Sequence, residues 1–138
     1  MEQLEKEILF YGQKFGQSIS IKTIFFGGGT PSIISAGQYK SIFNEIRKNF
    51  NISPDSEISL EANPGTVTLE YLESLLELGF NRISFGLQSS NPKFLDLLGR
   101  IHNHFQSIQA IEWAKKAGFK NINLDLIFGL PDQSVEDW

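Results

Sequence analysis

Ile83-Ser84-Phe85-Gly86-Leu87-Gln88 alternates apolar residues with small or polar ones, a period of two that puts the two sets on opposite faces of a strand. The pattern recurs upstream, where Ile58, Leu60 and Ala62 alternate with Ser59, Glu61 and Asn63. It recurs downstream, where Ile122, Leu124 and Leu126 interleave with Asn123 and Asp125. A fourth run, Ile21 to Phe26, is β-branched and aromatic and stops at Gly27-Gly28-Gly29. Helical spacing fills the gaps. Tyr39, Ile42, Phe43, Ile46 and Phe50 follow Ser35 as N-cap, and Leu69, Leu72, Leu75 and Leu76 run from Thr68 to a stop at Gly79. Asn91-Pro92 opens a short helix, and Ile108, Ile111 and Ala114 mark a longer one that ends at Gly118. A helix is expected over 1–15, and Ser134 with Glu136 and Asp137 predicts the start of a last one.

A helix in every connection implies parallel crossovers. The reading is therefore four parallel strands in sequential order, ending near Phe26, Glu61, Gln88 and Leu126. The polar residues Glu61, Gln88 and Asp125, at the ends of successive strands, are 27 and 37 residues apart. A (β/α)₈ barrel of ~250 residues uses roughly 31 per unit, which these spacings match. A doubly wound sheet buries both strand faces and reads as continuous Val, Ile and Leu. Here one face carries Ser, Asn, Gln, Asp and Glu instead. The expected fold class is α/β, a parallel (β/α) partial barrel of the TIM type with four strands.

The chain has 138 residues, within one domain's compass. Hydrophobic residues at 41% and charged residues at 20% give a globular composition. A net charge of −4, with Lys and Arg scattered, leaves no footprint for nucleic acid or an anionic membrane. No apolar run approaches a membrane span of ~20 residues, and the opening Met1 to Leu9 lacks the basic region of a signal peptide. The expected location is the cytoplasm. There is no cysteine, so neither a disulfide nor a thiolate metal site can form within these residues.

Phe26-Gly27-Gly28-Gly29-Thr30-Pro31 reads as a tight turn or as a ligand loop whose N–H groups meet a carboxylate or phosphate. It is neither a Walker A loop nor a dinucleotide fingerprint. Glu61, Gln88 and Asp125 are expected to point inward to one cavity, as acceptors for an ammonium or ribose hydroxyls, with Gln88 also a donor. They lack the clustered set a hard cation needs. Arg100 reads as a surface ion pair, a helix C-terminal charge or a ligand group. His102 and His104 have no Cys or third His beside them and do not read as a metal site. No catalytic residue stands out.

These residues resemble a known family. In order come Phe25-Phe26-Gly27-Gly28-Gly29-Thr30-Pro31-Ser32, Glu61-Ala62-Asn63-Pro64-Gly65-Thr66, Asn81 to Ser89, Leu98-Gly99-Arg100-Ile101-His102 and Asn123 to Pro131. The set resembles radical S-adenosylmethionine (SAM) proteins related to oxygen-independent coproporphyrinogen III oxidase. Its second and fourth segments are most similar to the HemW heme chaperones. The resemblance implies a partial parallel barrel with a 4Fe-4S cluster and SAM at the C-terminal strand ends. It places Gly28, Gly29 and Thr30 along the amino-acid part of SAM, with Glu61, Gln88, Arg100 and Asp125 as further cofactor-binding positions.

The family holds its cluster with three cysteines in a Cys-x₃-Cys-x₂-Cys loop, and this chain has none. The expectation is that residues 1–138 are the central part of a radical SAM partial-barrel domain, inactive alone, with the cluster ligands outside them. Intact, such a protein would carry SAM, the cluster and heme as a chaperone. The alternatives are a fragment of the oxidase, which decarboxylates coproporphyrinogen III in porphyrin biosynthesis, and a cofactor-free binding or structural domain. Alone, the fragment is expected to be marginally stable, to self-associate, to bind no iron and to hold SAM weakly at best.

Overall fold

A computed structural model describes residues 2–138. The elements run α1 (Glu2–Phe15), β1 (Ser20–Phe26), α2 (Ala36–Asn49), β2 (Asn51–Ala62), α3 (Leu69–Leu78), β3 (Arg82–Gln88), α4 (Pro92–Leu97), α5 (His104–Ala117) and β4 (Asn121–Leu126). The four strands form one sheet in the order β1-β2-β3-β4, and every neighbouring pair is parallel. The helix boundaries follow local chemistry. Ser35 and Gln38 make a reciprocal capping box at α2, and Thr68 caps α3. Gly79 and Gly118 close α3 and α5 in the left-handed conformation.

Alternation sorts the sheet into two faces. Ile58, Leu60, Ala62, Ile83 and Phe85 are buried with Tyr39, Ile42 and Phe43 of α2, Leu72 and Leu75 of α3, and Ala110 and Ala114 of α5. At the C-terminal edge Phe26, Tyr39, Phe43 and Phe80 pack mainly edge to face, with centroids 4.9 to 5.6 Å apart. Each such pair adds roughly 0.5–1.5 kcal/mol beyond area burial. Anchoring Phe26 here makes the chain leave the core at Gly27. The opposite face is polar: Glu57, Ser59 and Glu61 of β2, Arg82 and Ser84 of β3, and Asn123 and Asp125 of β4 border one hollow. Arg82 bridges to Glu57 at 3.2 Å.

Two expectations change. β2 begins at Asn51 rather than near Ile58, because Ser20 and Ile21 pair with Asn51 and Ile52 before a register shift that loops out Ser53-Pro54-Asp55-Ser56. No helix forms from Ser134. Ser134 and Asp137 exchange capping hydrogen bonds, Asp137 N–H to Ser134 Oγ and Ser134 N–H to Asp137 Oδ2, but residues 131–138 are turns. Asp137 also accepts from Asn91 Nδ2 at 3.0 Å, which ties this segment to the start of α4. Met1 lies outside the described residues. No described helix is long and apolar enough to cross a membrane.

Candidate functional site

Where the parallel strands end, their loops enclose a cleft of about 180 Å³ lined by Gly29, Thr30, Glu61, Gln88, Arg100 and Asp125, among others. Six of the seven positions singled out in the sequence thus border one space, and the seventh, Gly28, donates its N–H to Glu61 Oε2 at 3.2 Å. Glu61 and Asp125 lie on the same face of the sheet because β2 pairs Glu61 with Ser84, and β3 pairs Gly86 with Asp125. Asp125 is held by two neighbours, accepting from Ser84 Oγ at 2.8 Å and from Asn123 Nδ2 at 2.8 Å. Gly28 and Gly29 have φ of +80° and +56° and face open space where a side chain would stand. Their left-handed conformation is why glycine occupies both.

Arg100 reaches the cleft from the α4–α5 connection and donates from Nη2 to the Gly86 carbonyl at 3.0 Å. Its Nε is buried without a partner, the sole such side-chain atom among the described residues. A methyl group at Gly86 would lie 2.8 Å from Gln88 Nε2 and 3.0 Å from Arg100 Nη2. Gly86 is therefore the gap through which the guanidinium reaches the sheet. Its signal in the sequence was a glycine in the polar row of a strand, which marks close approach. The register slips between Gly86 and Gln88, leaving Leu87 unmatched, and Gln88 takes φ of +65°, a conformation costing a non-glycine residue roughly 1–2 kcal/mol.

Behind the cleft the loops are bonded to one another. Asn63 N–H donates to Ser32 Oγ at 3.0 Å, Ser32 contacts Thr66 Oγ1 at 2.5 Å, and Thr66 Oγ1 donates to the Asn63 carbonyl at 2.8 Å. Since Thr66 spends its proton on Asn63, Ser32 donates to Thr66 and the ring closes. Tyr39 donates to the Pro31 carbonyl at 2.9 Å, and burial pushes its phenol pKa well up. His102, 3% exposed, sits between Asn63 Oδ1 at 3.1 Å and the Leu87 carbonyl at 3.3 Å. Asn63, Ser32, Thr66 and His102 were not picked out as site residues. In the sequence His102 is considered only as a metal ligand, without the Cys or third His such a site needs.

The sequence model of the Radical SAM superfamily matches residues 2–138. The chain belongs to that superfamily. It is 44% identical over 128 residues to the heme chaperone HemW of Haemophilus influenzae, covering 91% of this chain and 33% of the relative. It is 35% identical over 135 residues to the oxygen-independent coproporphyrinogen III oxidase of Synechocystis, covering 98% and 29%. Among solved structures, the radical SAM enzyme coproporphyrinogen III oxidase (HemN) of Escherichia coli superposes with a TM-score of 0.90 at 33% identity, over 99% of this chain and 31% of that one. The four-stranded parallel sheet is thus of the radical SAM type. The chain spans about a third of the length of these relatives.

SAM and an iron–sulfur cluster follow from the family, and the residues answer differently to each. The cleft suits SAM: it offers carboxylates, the Arg100 cation and a glycine loop open to a ligand. No cysteine is present to hold a cluster.

Burial, reinforced by the Arg100 cation, lowers the His102 pKa below its usual 6.5, against a smaller upward pull from the Leu87 carbonyl. Unfolding lets the imidazole titrate normally, so the unfolded chain binds more protons just below pH 6.5. This contribution to stability is complete above about pH 6.5 and is lost as pH falls toward the folded pKa. Urea unfolding between pH 7.5 and 5 should show declining stability, with a shallower decline in His102→Gln.

Proposed function

We propose that the cleft holds the SAM of a HemW-like heme chaperone, and that residues 1–138 are the central part of its partial-barrel domain. The observation that carries the reading is the pairing, in one cleft, of the Arg100 cation with the carboxylates of Glu61 and Asp125. A zwitterionic amino acid joined to a ribose requires both poles. Glu61, steadied by the Gly28 N–H, accepts from the ligand ammonium, and the backbone of Gly29 and Thr30 borders the same end. Arg100 donates to an acceptor on the ligand. Asp125, oriented by Ser84 and Asn123, accepts from ribose hydroxyls, with Gln88 donating or accepting alongside. Bound SAM supplies a sulfonium that a reduced iron–sulfur cluster can cleave. The cluster ligands have to come from outside these residues, and heme is the further ligand of the intact protein.

Higher identity to HemW than to the Synechocystis oxidase supports the chaperone reading, 44% against 35%. The oxidase remains the second reading because the HemN superposition spans 99% of this chain. Heme titration and a protoporphyrinogen assay on the full-length, cluster-reconstituted protein separate the two. Stoichiometric heme binding without decarboxylation is expected, whereas protoporphyrinogen formation would transfer the chain to the oxidase. Calorimetry with SAM on the same protein should show Glu61→Gln weakening affinity roughly 10- to 100-fold, the value of a charge-assisted hydrogen bond. Unchanged affinity would remove Glu61 from the site.

Taken alone, the 138 residues should self-associate. β1 and β4 are open edges of the sheet, and Phe10, Phe15 and Trp138 are 59%, 40% and 58% exposed. Sedimentation of the isolated chain should give species above 15.6 kDa. A stable monomer would contradict this.

A further inference from the structure

His102 is a buried ionisable side chain beside the cleft that the binding roles above leave unused. It follows Arg100 by two residues and sits between the loop after β2 and the end of β3, beside the cleft but not among its lining residues. Both ring nitrogens meet acceptors, Asn63 Oδ1 and the Leu87 carbonyl. A neutral imidazole has one N–H, so one of these contacts is a hydrogen bond and the other is not. Each acceptor already has a donor, Gly65 N–H for Asn63 and Ser89 N–H for Leu87. What distinguishes the two sides is the neighbour. Gln88, next to Leu87, is one of two described non-glycine residues with positive φ and the only one in the cleft. Strain of that kind persists where surroundings over-determine it. The Ile127 N–H holds the Gln88 carbonyl at 3.0 Å from β4's side, and Ser89 N–H closes back on Leu87 at 2.8 Å.

We propose that His102 is a positioning residue of the cleft: its Nε2–H donates to the Leu87 carbonyl and so fixes the β3 bulge that turns Gln88 toward the ligand. Arg100 and His102 then act on β3 as a pair, Arg100 on the Gly86 carbonyl and His102 on the Leu87 carbonyl. The two successive carbonyls bracket the place where the register slips. The inference rests on the SAM reading of the cleft and adds to it a residue that never touches the ligand.

The test is SAM calorimetry on full-length, cluster-reconstituted protein, with the thermal midpoint of each variant measured alongside. His102→Gln keeps a nitrogen donor where Nε2 stands, and His102→Asn keeps a polar group only where Nδ1 stands. His102→Gln should bind SAM as the wild type does, while His102→Asn loses about three- to tenfold, the value of one neutral hydrogen bond. In a Gln88→Gly background His102→Asn should cost no further affinity, because glycine adopts positive φ freely and the side chain being positioned is gone. A purely structural role would give His102→Asn the same penalty in both backgrounds, and that result overturns the proposal. So does wild-type affinity in His102→Asn, or a loss in a folded His102→Gln. Should His102→Asn fail to fold, His102→Leu, which removes both ring nitrogens, takes its place with the same expected loss and the same overturning results. Glu61→Gln separates the two levels: a wild type without saturable SAM binding, or full affinity in Glu61→Gln, overturns the cofactor reading and this one with it.

Discussion

Parallel pairing of consecutive strands is the constraint on which everything else in this chain depends. With β1 to β4 in sequential order and all pointing one way, every strand ends at the same edge of the sheet. Because side chains alternate, β2 and β4 bring Glu61 and Asp125 to that edge on the face away from the helices, and Gln88 joins them in the cleft at the bulge that ends β3. The outward positions carry the apolar residues that α2, α3 and α5 bury. The same alternation therefore makes the core and the cleft, and a one-residue slip in any strand would exchange them. The aromatic cluster around Phe26 sets the fourth wall. It pins the last residue of β1 in the core, so that the glycines which follow emerge at the cleft.

Four loops must then be held relative to one another to better than an ångström if they are to recognise one ligand. The chain does this with hydrogen bonds behind the cleft, where water is scarce and each bond is worth more. Ser32, Asn63 and Thr66 lock the loops after β1 and β2 together. His102 links the second of these to β3, and Arg100 spans from the loop before α5 to Gly86. Among the described residues one buried side-chain polar atom is left without a partner, Nε of Arg100, a residue that lines the cleft.

Much of this was legible in the residues. Strand order, direction and ends followed from period-two alternation with a helix in every connection, and the caps at Ser35, Thr68, Gly79 and Gly118 followed from local chemistry. The inward cluster of Glu61, Gln88 and Asp125 was legible for the same reason. Arg100 was not, since a cation in the connection between two helices is usually solvated, and its place came from resemblance to the radical SAM family. The start of β2 was hidden because Pro54 and Asp55 break the strand pattern, and pairing with β1 overrides them. Gly86 was half legible, since a glycine in the polar row of a strand marks a close approach without naming what approaches. His102 was hidden, because nothing in the sequence shows that this histidine will sit between Asn63 and Leu87. The turn at Ser134 carries a helix-start signal, but its Asp137 is shared with Asn91.

The central claim is that the loops after β1, β2 and β3, the α4–α5 connection and Asp125 of β4 form one SAM site. Hydrogen–deuterium exchange of the full-length, cluster-reconstituted protein, with and without SAM, tests it most directly. Protection is predicted together in 27–33, 61–66, 86–91 and 99–104, with none at the opposite strand ends in 51–57 and 118–121. Protection confined to one of these loops, or appearing at the opposite ends, would contradict the single-cleft account.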